Sequence, residues 1–563
     1  MALDEEEFVD VPDEICNLSV CARGDSHVTL QWLAPCDNNC LVCQYQLVVQ
    51  PWLLGEAQLP PPANNLPLDD DTRATLRVLE VSSADVDASS VLKDCCRFRL
   101  EEPDFLKRVS CETDWKPALP TACWLSIRAS NAEGWSEWSR QFFILFRGCS
   151  QSNPFTSLYT WGVAEDGRLG RGYEAVERNV CADLGVVHFH HEGIGVSSKT
   201  LSLGSHSAII TDDDKLFTWG TFEASLIQKD SEVDGDNEKD LFTEPSQQET
   251  NFVAHGVACG RFVTAVLSAE GNVFGWGPND QFQCGIDGPD TVSALTQLQI
   301  PNRAPVVQVA LGEHHGLALT AFGVPLAWGM EQSPALHLGM STPLGPGNGV
   351  LPAEASFNQP TPRVVEVQGK VVRIAAGGFH SALITQDGKL WTWGQNTRGQ
   401  LGLSDSLSSQ HANGTVLGAV ACHEPRPVHA LAGVKIIDVS LGGFHSAAID
   451  DEGNLFTWGD NKRGQCGQGD VEVLHTPTPL VLSIDVHMCI GASCGGFFSF
   501  FKAVIGEGSA PVYYSCGWGK EGCLGFGQVC KRLLKPRQLP RQSDGRRWAH
   551  LEAGMVHAAG FLA

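Results

Sequence analysis

The stretch that decides the fold runs from residue 375 to residue 402 and reads AAGGFHSALITQDGKLWTWGQNTRGQLG. Its residues alternate with a period of two on both sides of Asp387-Gly388, a pair that supplies the positive φ of a tight hairpin turn. The pattern returns from residue 442 as GGFHSAAIDDEGNLFTWGDNKRGQCG. A self-similar unit of about 65 residues predicts a β-repeat architecture.

Looser copies of this unit fill the chain from Thr156 onward, and each is long enough for four strands. The copies share a Trp-Gly pair, whose tryptophans we expect to be structural: Trp161, Trp219, Trp276, Trp328, Trp393, Trp458 and Trp518. Most copies also place a histidine after a Gly-rich approach: His206, His315, His380, His445 and His557. Val263 and Phe498 take the histidine position in the other two copies.

The two ends of the repeat region complement each other. The first Trp-Gly pair, in SLYTWG, is not preceded by the Gly-His strand of the repeat. The last Gly-His strand, in AGMVHAAGFLA, is not followed by a Trp-Gly pair. Pairing of the C-terminal strand with the strand at residues 158–161 would remove open sheet edges, which invite aggregation. We therefore expect an all-β protein with a closed seven-bladed β-propeller over residues 155–563.

The repeat resembles that of the regulator of chromosome condensation family, whose blades carry Gly-Gly-x-His-Ser, a downstream Asp-Gly, and Trp-Gly-x-Asn-x-x-Gly-Gln-Leu-Gly. The match is close at residues 377–402 and 442–467 and partial in the other blades. The resemblance implies that the blade histidines bond neighbouring blades to each other. It therefore favours neutral structural histidines over a metal ring or a catalytic group.

Composition narrows the possible partners and the compartment. The chain has 563 residues, 43% of them hydrophobic, and a net charge of −26. That charge argues against direct nucleic-acid binding, which depends on Lys and Arg at phosphates. No secretion signal and no run of 18 apolar residues is present, so we expect a soluble intracellular protein without membrane insertion. The cytoplasm is the first expectation, with nucleus and cilium as alternatives, and the 20 cysteines should be mostly free.

A different strand pattern precedes the repeats. After an acidic tail at residues 1–10, short alternating segments such as HVTLQWLAP and CWLSIRASN predict a β-sandwich over residues 11–147, joined by a linker at 148–154. Trp32 in an early strand and the run from Trp124 to Gly134 resemble a fibronectin type III domain.

Three motifs in the sandwich favour structural roles. The WSEWS run at residues 135–139 resembles a cytokine-receptor box, but Arg128 or Arg140 can stack on its rings without any ligand. Arg23-Gly-Asp-Ser is good turn chemistry, and an integrin would not meet it inside a cell. A zinc site is the alternative for six cysteines: Cys36, Cys40, Cys43, Cys95, Cys96 and Cys111. Their spacing approaches that of zinc ligands, yet Cys95 and Cys96 are adjacent, so we favour free thiols and predict no metal.

The blade after Trp219-Gly220 departs from the repeat. Phe222, Glu223, Leu226 and Ile227 replace the usual polar turn, and the acidic run KDSEVDGDNEKD follows. In the founding member of the resembled family, a blade with Trp-Gly-x-Phe extends as a β-wedge that releases nucleotide from the GTPase Ran. The resemblance offers these four residues as a partner-binding wedge, whereas a solvated insertion explains the same composition.

Further partner-contact candidates are loops and one basic run. Residues 341–360 and 404–425 are too long for tight turns. Near the C-terminus, Lys531, Arg532, Arg537 and Arg541 belong to a basic cluster that suits an acidic peptide or a phosphate. The same run also aligns with an ordinary outer strand and its loop, for which a solvated rim suffices.

No enzyme motif is present: the sequence lacks a nucleophile elbow, a phosphate loop, a dinucleotide fingerprint and a His-Glu-x-x-His pair. We therefore expect no catalysis and no cofactor. The first hypothesis is a scaffold for protein partners, including cytoskeletal or ciliary assemblies. The alternative is an exchange factor for a Ran-like small GTPase. A plant-type ultraviolet photoreceptor, whose similar repeats carry Gly-Trp-Arg-His-Thr, is rejected because the matching segments here read Gly-Gly-Phe379-His380-Ser and Gly-Gly-Phe444-His445-Ser and lack that tryptophan.

Overall fold

The protein is built from β-strands, as its sequence predicts. The computed structural model describes residues 12, 15, 18–23, 27–33, 42, 44–51, 77–82, 87–88, 95–101, 122–132, 135–146, 157–189, 196–211, 213–220, 243–330, 359–403, 421–506, 509–542 and 545–562. Helix within these residues is limited to one short α-helix, Tyr173–Arg178, and three 3-10 turns, Glu165–Gly167, Pro301–Arg303 and His429–Leu431.

The N-terminal part is a sandwich of two four-stranded antiparallel sheets. The strands of the sandwich are β1 (Ser19–Arg23), β2 (His27–Leu33), β3 (Gln44–Pro51), β4 (Arg77–Ser82), β5 (Asp87–Ala88), β6 (Cys95–Glu101), β7 (Ala122–Ser130) and β8 (Phe142–Leu145). One sheet has the order β1-β2-β6-β5 and the other β4-β3-β7-β8. Alternate residues of both sheets, among them Trp32, Leu47 and Ile127, form one shared core.

Seven four-stranded antiparallel sheets follow within the described residues. In chain order the first three are β11 (Val196–Leu203), β12 (Ser207–Thr211), β13 (Leu216–Trp219), β14 (Ser246–Gln248); β15 (Ala254–Cys259), β16 (Thr264–Ser268), β17 (Val273–Pro278), β18 (Thr291–Gln297); β19 (Val306–Leu311), β20 (His315–Thr320), β21 (Pro325–Gly329), β22 (Gln359–Val364). The next three are β23 (Val371–Ala376), β24 (His380–Thr385), β25 (Leu390–Gln395), β26 (Ala421–Pro427); β27 (Ile436–Leu441), β28 (His445–Asp450), β29 (Leu455–Gly459), β30 (Leu474–Pro479); β31 (Met488–Cys494), β32 (Phe498–Val504), β33 (Val512–Trp518), β34 (Arg532–Gln538).

The seventh sheet combines both ends of the repeat region. Its strands are β9 (Leu158–Val163), β10 (Val180–Val187), β35 (Trp548–Ala553) and β36 (His557–Leu562), in the order β10-β9-β36-β35. The register pairs His557 with Gly162 and Phe561 with Leu158. The predicted pairing of the C-terminal strand with the first strand of the repeats is therefore present, and it leaves β36 and β9 as inner members of a complete sheet.

The antiparallel order gives the repeat region two distinct faces. One, which we call the loop face, carries the connections from first to second strand, such as residues 377–379, and from third to fourth strand, such as residues 396–402. The other, the turn face, carries the tight turns between second and third strands, such as residues 386–389. Gly394 explains the Trp-Gly pair: its φ is +101°, and a Cβ there would lie 2.8 Å from the carbonyl oxygen of Phe379.

Backbone hydrogen bonds on the loop face link one sheet to the next. Gly378 N donates to Gly442 O at 3.1 Å, and Gly443 N donates to Gly495 O at 3.2 Å. Met555 N of the seventh sheet donates to Gly204 O of the first at 3.2 Å. The sheet that contains both ends is therefore linked to the first sheet by a bond of the same type.

The sandwich packs directly on the turn face. Trp124 stacks on Phe322, with 5.9 Å between ring centroids. Leu145 N donates to Ala269 O at 2.7 Å, and Val20 N donates to the Glu270 carboxylate at 3.1 Å. These contacts lie at turns of the second and third sheets, so the described contacts of the sandwich fall on the turn face.

Candidate functional site

The blade histidines connect neighbouring sheets through hydroxyl groups. His380 Nε2 lies 2.9 Å from Ser446 Oγ, and Ser446 Oγ donates to Gln400 O at 2.8 Å. Because the hydroxyl proton is used at Gln400, the histidine must carry its proton on Nε2 and donate. The same type of contact joins four further pairs: His206 with Thr264, His315 with Ser381, His445 with Ser499, and His557 with Ser207.

The two positions without histidine also lack the hydroxyl partner. Val263 and Phe498 occupy the histidine position, as expected from the sequence, because Val263 packs against Gly277 and Phe498 pairs with Gly517. At the hydroxyl position the following sheets carry Gly316 and Ala558. The donor and its acceptor are thus present together or absent together.

Burial keeps these histidines neutral. Desolvation lowers the pKa of His380 and His445 to about 3, and the pKa of His206 and His315 to about 4. Desolvation also holds the pKa of His557 well below its ordinary value. At neutral pH each is a buried, uncharged hydrogen-bonding group, which suits a structural role.

Most of the predicted blade tryptophans are buried between sheets. Trp161, Trp219, Trp328 and Trp458 each donate their indole N–H to a carbonyl oxygen of the preceding sheet, at 2.8 to 3.0 Å. Trp393 is 1% exposed. Trp276 occupies the expected register but is only half-buried.

The expected role of Trp518 is wrong. In the sixth sheet Ser499 pairs with Cys516, whereas the equivalent Ser381 pairs with Trp393. Cys516 therefore occupies the buried tryptophan position, and Trp518 lies two residues further toward the loop face, half-buried. The Trp-Gly pair in the sequence conceals this shift, because the glycine with the repeat's positive φ is Gly517, at +107°.

An arc of half-buried aromatic rings lies on the loop face. The same loop position in five consecutive sheets holds Phe262, His314, Phe379, Phe444 and Phe497. The rings of Phe379 and Phe444 are 5.5 Å apart, and His314 is 6.3 Å from Phe379. Arg261 lies 5.2 Å above Phe262 at one end of this arc, and Arg463 lies 3.9 Å above Phe497 at the other.

A central channel opens inside the arc. Its cavity has a volume of about 270 Å³ and is lined by one edge strand from each of the seven sheets. The lining residues include Ser202, Ala258, Ala310, Ala375, Ser440, Ser493 and Glu552. Side chains on these strands make contacts with the equivalent strand of the next sheet. Ser440 Oγ accepts a hydrogen bond from Cys494 N at 3.0 Å, and Arg373 forms an ion pair with Asp438 at 2.6 Å. Burial raises the pKa of Asp438, and Arg373 counteracts that rise. The small lining residues and these cross-bonds stabilise the channel wall.

The predicted basic residues do not form one patch. Lys531 and Arg532 lie at the loop-face end of β34, whereas Arg541 follows its turn-face end. Arg537 lies 4.9 Å above the ring of Phe526. The outer-strand alignment is confirmed, but the single cluster is wrong because the strand spans both faces.

Other predicted sites fall outside the described residues or are structural. The proposed wedge, Phe222, Glu223, Leu226 and Ile227, lies outside them, as do Cys36, Cys40, Cys43 and Cys111. The predicted stacking in the WSEWS motif is confirmed: the Arg128 guanidinium lies 4.7 Å from the ring of Trp135 and 4.4 Å from that of Trp138.

The described residues also bear on the requirements of a metal site and of a membrane-spanning helix. No group of three or more His, Cys, Asp or Glu side chains is placed to hold a metal ion among the described residues. The same residues contain no helix that is long and apolar enough to span a membrane. From the sequence, Phe379 and Phe444 were named only in rejecting a photoreceptor, and Phe262, His314, Phe497 and Arg463 were not singled out, although the arc's common loop position was visible in the repeat.

Comparison with known proteins agrees with this architecture. A mitochondrial RCC1 domain-containing protein, RUG3 of Arabidopsis thaliana, is 27% identical over 367 residues, covering 61% of this chain and 75% of the relative. The secretion-regulating guanine nucleotide exchange factor of Bos taurus is 29% identical over 402 residues, covering 68% and 78%. The crystal structure of Prp20p from Saccharomyces cerevisiae superposes with a TM-score of 0.59 at 19% identity, covering 73% and 92%. Residues 157–560 match the RCC1-like domain family, and the chain therefore belongs to that family.

Proposed function

We propose that this protein is a non-catalytic binding module whose loop face holds a protein partner. The observation that carries this proposal is the arc of aromatic rings at one loop position in five consecutive sheets. Aromatic and arginine side chains contribute most of the energy of typical protein interfaces. The described contacts of the sandwich lie on the turn face and do not involve this arc.

The scaffold for this surface is a closed seven-bladed propeller. Support comes from the bond between His557 and Ser207, from Met555 N to Gly204 O, and from a channel lined by all seven sheets. Closure fixes the relative positions of the loops, which lowers the entropy lost on binding. We further propose that the sandwich, residues 11–147, is a fibronectin type III-like domain that anchors the turn face, joined by the linker at 148–154.

A second candidate function is nucleotide exchange on a small GTPase. It is favoured by one relative that is named a guanine nucleotide exchange factor, and by Prp20p, whose structure was described together with its binding to Gsp1p and histones. In this chain exchange would work through the sequence insertion that follows Trp219-Gly220, which includes Phe222, Glu223, Leu226 and Ile227. A factor of this kind binds the nucleotide-free GTPase better than the loaded form.

The proposal is tested with the tagged full chain in a cell-lysate capture. One variant, Phe379→Ser with Phe444→Ser, removes two rings of the arc. The control variant, Val481→Ser with Ile484→Ser, changes two turn-face side chains that are 77% and 96% exposed. We expect partners of the wild-type chain to be lost from the arc variant and kept by the control. Equal recovery by both variants would contradict a loop-face site.

Two wash conditions separate the candidate functions. EDTA strips Mg²⁺ and nucleotide from small GTPases, and GTP with Mg²⁺ restores the loaded form. A GTPase that is held in EDTA and released by GTP with Mg²⁺ favours exchange. Partners that are indifferent to both washes favour the binding module.

A further inference from the structure

The displacement of Trp518 creates a surface feature that no other described sheet has. In the fifth sheet, the indole N–H of Trp458 donates to Gln400 O at 2.8 Å inside the blade. In the sixth, the Cys516 thiol makes the equivalent contact with Gln465 O at 3.4 Å. The smaller thiol fills the core position, and the indole of Trp518 moves to the loop face.

Two cations lie over the displaced ring, and a third is on the neighbouring strand. Arg463 lies 4.6 Å from the ring centroid of Trp518, and Lys520 Nζ lies 5.4 Å from it. Arg532 is the register partner of Trp518 in the neighbouring strand, and its guanidinium donates to Lys462 O at 3.3 Å. We call these five residues the Trp518 cluster; Lys531 adjoins it. Arg463 also covers Phe497, so the cluster continues the aromatic arc.

Three of the four cations of the cluster carry no ion pair in the part of the chain that the structure describes. Among the described residues, Lys462, Lys520 and Arg532 have no ion pair, and all three are exposed. One carboxylate belongs to the cluster's surroundings: Glu521 accepts a hydrogen bond from the Trp518 indole and interacts with Arg463, while burial raises the pKa of its carboxyl group. In a chain of net charge −26, three exposed cations beside the half-buried Arg463 are a local concentration of positive charge.

We propose that the Trp518 cluster binds an acidic segment of the protein partner. This inference rests on the proposed loop-face function and names the chemistry of part of its partner. Exposed lysine and arginine side chains attract carboxylates, and Arg463, held between two rings, is ordered before binding. A short run of Asp and Glu fits a cluster of this size, whereas a long nucleic-acid strand would meet the repulsion of the rest of the surface.

The test uses the full chain and fluorescein-labelled peptides in an anisotropy titration. The probe is a twelve-residue peptide rich in Asp and Glu, and its matched control has Asn and Gln at the same positions. The variant is Lys462→Glu with Lys520→Glu, two exposed positions of the cluster. The charge-matched control is Arg303→Glu with Arg363→Glu, two exposed positions away from the cluster. We expect the cluster variant to bind the acidic peptide at least tenfold more weakly, and the control variant within twofold of wild type.

Four results would overturn the proposal. They are equal weakening in both variants, which indicates non-specific attraction; equal binding of the Asn and Gln peptide; unchanged binding by the cluster variant; and tighter binding of a labelled single-stranded oligonucleotide than of the acidic peptide. Circular dichroism and thermal unfolding confirm that each variant is folded. The capture with Phe379→Ser, Phe444→Ser is independent of this titration. A negative titration therefore leaves the loop-face function standing, and a negative capture leaves the peptide-binding result standing.

Discussion

His557 and Ser207 lie 2.9 Å apart, Nε2 to Oγ, although 350 residues separate them in the chain. Ser207 Oγ donates to Arg168 O at 2.9 Å, and the indole N–H of Trp219 donates to the same oxygen at 3.0 Å. This is the arrangement that His380, Ser446 and Trp458 make between the fourth and fifth sheets. The junction between the two ends of the repeat region is therefore a regular junction.

Replacing both members of this pair should cost less than replacing one. Ser207→Ala leaves the buried His557 N–H without an acceptor, which we expect to lower the free energy of unfolding by about 1–3 kcal/mol. The double variant His557→Phe, Ser207→Ala copies the natural combination of Phe498 and Ala558. Urea unfolding should show a favourable coupling of about 0.5–3 kcal/mol between the two changes. Strictly additive effects would contradict the pairing.

Stability should fall with acidification. In the unfolded chain each histidine takes up a proton near its ordinary pKa of about 6.5. In the folded protein, His380 and His445 resist protonation until about pH 3. The unfolded state thus binds more protons between these values, so the free energy of unfolding decreases as pH falls from about 6.5 toward 3 and is level above. Each histidine contributes about 1.4 kcal/mol per pH unit within that window.

The histidine origin of this slope is tested by removing one pair. His445→Phe with Ser499→Ala deletes one buried titrating group while keeping a natural combination for the junction. Urea midpoints at pH 5 and pH 7.5 should differ less for this variant than for wild type. An identical difference would show that other groups produce the acid sensitivity.

Arg128 should stabilise the sandwich without any ligand. Its guanidinium lies between Trp135 and Trp138 and donates to Gln46 Oε1 at 2.6 and 2.9 Å. Arg128→Ala removes stacking and leaves Gln46 without this donor, so we expect a loss of about 1–3 kcal/mol. Arg140→Ala changes an exposed neighbour and serves as control. Equal thermal unfolding of both variants would refute the structural role.

Contacts of Trp124 should hold the sandwich against the repeat region. Trp124→Ala removes the stack on Phe322 and the edge contact with Phe143, whose centroid is 4.9 Å away. We expect two separated thermal transitions and a larger radius of gyration in small-angle scattering. The matched control, Val481→Ser, alters an exposed side chain on the same face away from these contacts. A single transition with an unchanged radius would show that the remaining contacts suffice.

Local pattern predicted much of the architecture. The hairpins around Asp387-Gly388, the five histidines and the strand exchange between the ends follow from period, turn chemistry and register, all of which a single repeat contains. The sequence left Arg128 and Arg140 as alternatives for stacking in the WSEWS motif, and the structure places Arg128 on both rings.

Features that depend on three-dimensional register were not predictable. The sequence GWG around Trp518 offers two glycines, and only strand pairing shows that Gly517 takes the positive φ and Cys516 the core position. Likewise, Arg463 and Lys520 lie in neighbouring sheets, and only the packing of those sheets brings both to the indole of Trp518. The docking of Trp124 on Phe322 depends on surface complementarity, which strand patterning does not encode.

The central claim is that the loop face binds the partner, and hydrogen–deuterium exchange of the full chain with and without a captured partner tests it most directly. We predict slower exchange on binding at residues 260–263, 377–380, 442–445 and 495–498, with the turn-face segments 386–389 and 480–487 unchanged. Protection confined to the turn-face segments or to the sandwich strands would contradict the claim.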